Sequence, residues 1–289
     1  MTINRYPSDW YEVANQRLIE IAQQYPDVRI YALIEGVLAE SCHALLKQSK
    51  RLPFFALYAN TASADEETLA ISPLLVEYRS SEIHFWNRLL KKTSGVSALS
   101  MIATAESLTQ LAARLTPWCV VDADGHRLAL SFTDTRVLPS LFAALTPQQK
   151  AQLCGPAKCW EYVSRTAQWK SLPLPQESLP PAEEVLLTEE QCVRLIDASE
   201  ADGVLYQLRI HSANLVDCHT PARAHDIASH WLACADHANI TATPERANLC
   251  EFGFMHPELE RNARIAEWLA MPSAAMTVDA LRARWMQAS

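Results

Sequence analysis

Apolar positions recur at helical spacing near the start of the chain. Tyr11, Ala14, Leu18 and Ile21 share one face of a helix that Ser8 can cap and Pro26 ends. Val28 to Ile34 reads as a buried strand that stops at Glu35-Gly36. A helix is expected over Leu38 to Lys47, and short strands over Phe54 to Tyr58 and Leu74 to Tyr78. Between those strands the acidic run Asp65-Glu66-Glu67 reads as a solvated loop. Ile83, Trp86, Leu89 and Leu90 mark one face of a helix capped by Ser81 and ended by Gly95. Ala98 to Ile102 reads as a strand, followed by a helix starting at Thr104 with Leu108, Leu111, Ala112 and Leu115 in register.

The stretch 124–138, DGHRLALSFTDTRVL, predicts a hairpin and then a helix. Asp124-Gly125 is a tight-turn pair, since Gly accepts positive φ without steric cost. Trp118 to Val121 supply one arm, and Leu128, Leu130 and Phe132 the buried face of the other. Asp134 stands before Val137, Leu138 and Leu141, where a carboxylate can cap a new helix. Thr146-Pro147 opens a short helix, Gly155-Pro156 closes it, and Cys159 to Val163 reads as a further strand.

Pro173, Pro175, Pro180 and Pro181 then crowd one polar stretch that reads as a semi-rigid linker. From Thr188, which pairs with Gln191 as a capping box, the pattern is helical. Ala224, Ile227, Ala228, Trp231, Leu232 and Ala235 form a clear helix face. The expected class is α+β, a mixed α/β N-terminal domain followed by an all-α C-terminal lobe. The expected boundaries are an N-terminal helix over 1–27, the α/β domain over 28–170, the linker over 171–186 and the helical lobe over 187–289.

Composition narrows the function. A net charge of −8 argues against nucleic acid as the partner. No apolar run reaches the length of a membrane span, and the first residues lack the apolar core of a signal peptide. The eight cysteines are therefore expected as reduced thiols in a cytoplasmic protein. Six glycines leave no GxGxxG, GxxxxGK[ST] or GxSxG loop, which speaks against common nucleotide chemistry, and no cofactor is expected.

Several side chains carry candidate chemistry. His230, Cys234 and His237 fall on one helix face and are possible zinc ligands, although no standard zinc spacing is matched; the alternative is the wet edge of an apolar stripe. Cys154 and Cys159 flank a Gly-Pro turn and read more simply as free buried thiols. Asp122, Asp124 and Asp134 each have a sufficient turn or cap role, and Arg136 is expected to pair with Asp134 or another carboxylate. Phe252, Phe254, Trp268 and Trp285 are either core or the anchors of a partner groove.

An ordered set of segments resembles one family. It comprises Tyr31-Ala-Leu-Ile-Glu-Gly36, Ser72-Pro73-Leu-Leu-Val-Glu77, Asp124-Gly125, Phe132-Thr-Asp134-Thr-Arg136 and Gly155-Pro156. These resemble the Tap/TEC type VI secretion adaptors, effector chaperones with a conserved N-terminal domain. Two positions depart from the family pattern: Glu35 stands where Asp is usual, and Thr135 where Pro is usual. The resemblance implies a non-enzymatic protein of the bacterial cytoplasm. It would bind a toxin effector and promote its loading onto the VgrG spike. The competing readings are a small metal-dependent hydrolase or transferase, and a structural subunit of a secretion assembly.

Overall fold

The structure, a computed structural model, describes residues 2–49, 51–60, 64–269 and 277–287. The chain forms two compact units, Met1–Asp197 and Ala198–Ser289.

The first unit is built on a six-stranded antiparallel sheet. Its strands are β1 (Arg29–Ile34), β2 (Phe54–Ala56), β3 (Leu74–Glu77), β4 (Leu99–Thr104), β7 (Cys159–Val163) and β8 (Trp169–Ser171), ordered β2-β3-β1-β4-β7-β8. Between β4 and β7 in the chain, β5 (Val120–Ala123) and β6 (His126–Ala129) form the expected hairpin. They belong to a separate three-stranded sheet completed by β9 (Leu186–Leu187), which runs parallel to β5.

Alternate side chains of the central strands enter two different cores, which explains why these strands are buried almost throughout. In β1, Ile30, Ala32 and Ile34 face one core while Tyr31 and Leu33 face another. The first core is closed by α1 (Trp10–Gln24), α2 (Ser41–Ser49) and α4 (Ile83–Lys92). Helix α3 (Glu66–Ile71) lies between α2 and α4 in the chain. The second core is closed by α5 (Leu108–Leu115), α6 (Leu138–Ala144) and α7 (Pro147–Cys154). Helices on both faces bury β1, β3 and β4 almost throughout, so these central strands read like those of a parallel sheet although every pairing in the sheet is antiparallel.

Local chemistry sets the helix starts. Ser107 and Thr146 each form a reciprocal capping box, with Gln110 and Gln149. The helix expected from Thr104 therefore begins later, since Thr104 still belongs to β4. The acidic run expected as a loop opens α3: Asp65 accepts from the Thr68 N–H at 2.8 Å, and Glu66 and Glu67 occupy the first turn, where the helix dipole favours them. Asp134 does not cap α6, which begins four residues later behind Val137. In the hairpin, Asp124 (φ 53°) and Gly125 (φ 79°) supply the two positive dihedrals of a type I′ turn. Phe132 is buried as expected, but the strand of the second arm, β6, is exposed along its length. Leu128 is 48% exposed because it sits on the edge strand, opposite the buried Val121 of the central one.

The proline-rich stretch is anchored at both ends, while Pro173, Pro180 and Pro181 themselves are exposed. Lys170 and Ser171 lie in β8, Leu172 and Val185 are buried in the second core, and the Asp122 N–H donates to the Val185 carbonyl at 2.9 Å. The N-terminal helix likewise buries Trp10, Ala14, Leu18 and Ile21 in the first core. The division between the units falls inside α8 (Glu189–His211), after the Thr188–Gln191 capping box that starts it.

The second unit is helical, as expected. It holds the later turns of α8, then α9 (Ala213–Asp217), α10 (Pro221–His237), α11 (Thr243–Met255), α12 (Ala263–Leu269) and α13 (Val278–Met286). Its core centres on Trp231, whose indole lies where a side chain at Gly253 would go.

Candidate functional site

The motif residues gather at the two ends of β1 and at the hairpin turn. At the C-terminal end of β1, four segments meet. The Glu35 N–H donates to the Ala98 carbonyl at 2.9 Å, and the Thr135 N–H donates to the Ser97 carbonyl at 2.8 Å. The Leu57 N–H reaches the Pro73 carbonyl at 2.9 Å, and the Tyr58 N–H reaches the Ser72 hydroxyl at 3.0 Å. Gly36 lies so close to Ser72 that a Cβ would strike the Ser72 carbonyl oxygen and stand 2.7 Å from the carbonyl carbon of Ile71. Asp134 makes a local turn, accepting from the Arg136 N–H at 2.9 Å and pairing with the Arg136 guanidinium at 2.6 Å. The expected ion pair is therefore present.

Glu35 is a buried carboxylate at this corner. It is 4% exposed, and it accepts from the Thr133 hydroxyl and from the Val37 N–H. Burial raises its pKa above the ordinary glutamate value, the Thr133 and Val37 bonds oppose the rise, and the nearby Asp134 charge adds to it. The folded state thus holds this proton more tightly than the unfolded state does. The stability contribution is greatest below the ordinary glutamate pKa, and it falls as pH rises through that value to the raised folded one. Glu35→Gln lacks this dependence. Its stability relative to wild type is expected to climb with pH across that window in urea titrations at a series of pH values; parallel pH profiles would remove the assignment.

At the other end of β1, the Tyr31 hydroxyl donates to the Glu106 carbonyl at 2.9 Å. The Glu106 side chain pairs with Arg114 at 2.8 Å, and Arg114 also donates to the carbonyls of Gln152 (2.7 Å) and Leu179 (2.8 Å). Gly155, at φ 52°, ends α7 directly against that guanidinium, and Pro156 follows it. Glu77 stands opposite Tyr31 in the β1–β3 register, with Arg79 at 3.8 Å. The motif residues thus tie strand ends and turns together. They do not converge on a cleft.

The candidate metal face gives a partial contact. His230 Nε2 lies 3.9 Å from Cys234 Sγ, and His237 is on the same helix. Burial pushes the Cys234 thiol up to about 12 and lowers the His230 pKa, both away from ready thiolate or imidazolium chemistry. No group of three His, Cys, Asp or Glu side chains among the described residues is placed to hold a metal ion. Cys154 and Cys159 are free thiols, each raised to about 12 by burial.

Phe252, Phe254 and Trp285 fill the core of the second unit at 5%, 5% and 2% exposure, so they are packing residues and not surface anchors. The side chain of Trp268 lies outside the described residues. Pattern reading missed three arginines that organise the fold. Arg114 is one; Arg246 pairs with Glu200 and Asp236 and donates to the Ile240 carbonyl at 2.9 Å; Arg17 pairs with the buried Glu161 at 2.6 Å. The Arg17 and Arg246 partners lie up to 144 and 46 positions away, so no local spacing announces them.

This framework coincides with a recognised sequence family. Residues 30–152 match the family described as Domain of unknown function (DUF4123). The DUF4123 region runs from β1 almost to the end of α7, and it includes every motif residue from Tyr31 to Arg136. Gly155 and Pro156 fall just beyond it, and the second unit lies outside it. DUF4123 is associated in general with effector adaptors of type VI secretion, and it is an adaptor-type family rather than a known enzyme family. No curated protein and no solved structure matches the chain. No helix among the described residues is long and apolar enough to cross a membrane.

Proposed function

We propose that this chain is a cytoplasmic adaptor that binds a type VI secretion toxin and promotes its loading onto the VgrG spike. The observation that carries the reading is the DUF4123 match over the sheet unit, whose motif residues serve as ties between strand ends. A framework of this kind presents surfaces to a partner and needs no reactive constellation. The acidic charge and the scarcity of glycine fit a protein-binding role. The second unit, outside the DUF4123 match, is the part free to vary with the toxin.

The test is co-expression with the toxin encoded beside this protein. A stable soluble complex is expected, together with loss of toxin from the spike when the adaptor gene is deleted. A toxin that is soluble, spike-loaded and secreted at normal levels without this protein would refute the reading. The adaptor is also expected to be missing from secreted particles; stoichiometric retention there would favour a structural subunit.

A further inference from the structure

The outer edge of the six-stranded sheet on the β8 side is open. Tyr162 stands opposite Lys170, and the flanking bonds run from the Leu172 N–H to the Trp160 carbonyl (2.9 Å) and from the Ser164 N–H to the Gln168 carbonyl (2.8 Å). In an antiparallel pair, such alternate residues bond inward and those between them point outward. The backbone groups of Trp169 and Ser171 therefore face away from β7, and no described strand pairs with them.

Beside this edge lies a groove of about 710 Å³ between the outer flank of α1 and the start of β8. Its apolar part includes Trp10, Val13 and Trp169; Val13 is 51% exposed, and the rings of Trp10 and Trp169 stack at 5.4 Å. The indole N–H of Trp169 makes no hydrogen bond within the described chain.

The charged part of the groove is acidic. Asp9, Glu12 and Glu20 line it, against one cation, Arg17, which is already held by Glu161 at 2.6 Å and Glu20 at 3.1 Å. Asp9 and Glu12 enter no ion pair among the described residues. Asp9 and Glu20 lie toward opposite ends of the flank, roughly 16 Å apart along the helix axis, with Val13 between them. That span is covered by about five residues of extended chain.

We propose that this groove takes an extended segment of a partner protein, added as a strand to the free edge of β8, with a basic–apolar–basic pattern on alternate residues facing α1. Open backbone supplies the affinity and alternate side chains the selection, as in other strand additions. The proposal rests on the adaptor reading only for the identity of the partner, which would be the toxin.

The probe is a nine-residue peptide with Lys-Thr-Val-Thr-Lys at its centre, added to the full chain. Binding is expected to slow amide hydrogen exchange at Trp169 and Ser171 at least tenfold. The same peptide with Glu for both Lys is expected to bind at least tenfold more weakly. Ser171→Pro removes one outward N–H and leaves the Lys170–Tyr162 pair in place, so it should abolish the protection. Val13→Glu, on the exposed helix flank, is the second variant should Ser171→Pro fail to fold. No binding, protection elsewhere, equal binding of the acidic peptide, or unchanged binding by the folded variants would each overturn the proposal.

Toxin co-purification separates the two readings. If wild type and both variants retain the toxin equally, the groove is not its site and the adaptor reading stands. If the peptide protects the edge but no toxin co-purifies with wild type, the groove stands and the adaptor reading falls.

Discussion

Arg114→Met is expected to destabilise the first unit by about 3–5 kcal/mol, the usual cost of breaking a buried ion pair from one side. Arg114 is 4% exposed and its partner Glu106 is 13% exposed. The guanidinium satisfies the Glu106 carboxylate and the carbonyls of Gln152 and Leu179 at once. Methionine fills much of the same volume and satisfies none of them. The Leu179 contact also fastens the proline-rich stretch to the first unit, so the variant should expose that stretch to protease before the rest of the unit. Adding Glu106→Gln removes the stranded charge and should recover part of the loss, because the two sites share one interaction. Urea unfolding of the single and double variants measures both effects. A loss below about 1 kcal/mol for the single variant would mean that the pair is solvated and not a fold tie.

Gly36→Ala is expected to cost about 2–3 kcal/mol, at the upper end of overpacking penalties. The obstacle is backbone: the new Cβ would run into the Ser72 carbonyl and the Ile71 peptide. That backbone is fixed by the Tyr58 bond to the Ser72 hydroxyl and by the Pro73–Leu57 bond, so it has little room to retreat. Gly125→Ala makes the control. Its φ is 79°, but nothing lies within 4 Å of the added Cβ, so only the dihedral strain of about 1 kcal/mol remains. Thermal unfolding of the two variants side by side should rank Gly36 well above Gly125. The reverse order would show that β1 and β3 can separate at that corner without loss.

Much of the fold was legible as local pattern. The run Val28 to Ile34, the Asp124-Gly125 turn and the Thr146-Pro147 start appear where spacing and turn chemistry place them, because each rests on neighbours within a few residues. The misreadings came where a local signal has two uses. Asp65-Glu66-Glu67 is equally good as a loop and as a dipole-matched first turn, and the packing of α3 against α2 selects the second. Leu128 alternates correctly, but its burial depends on being central or at the edge of its sheet, which alternation does not encode. Phe252, Phe254 and Trp285 were readable as apolar mass but not as core or surface.

By itself, the sequence determined most strands and helices as far as β7, the α+β then all-α division, the Asp124-Gly125 turn, the Thr146 and Thr188 caps, and an ordered motif set that falls largely within the DUF4123 region. Those depend on backbone preference and on periodicity, which act over a few residues. Only the tertiary structure decided what the motif residues do. Glu35 meets Thr133 98 positions away, and Tyr31 meets Glu106 75 positions away. It also decided that β8 is an edge and that the acidic flank of α1 lies beside it. Pairing across such separations is set by how the sheet closes, since any two strands of suitable pattern can pair and only the packed core excludes the alternatives.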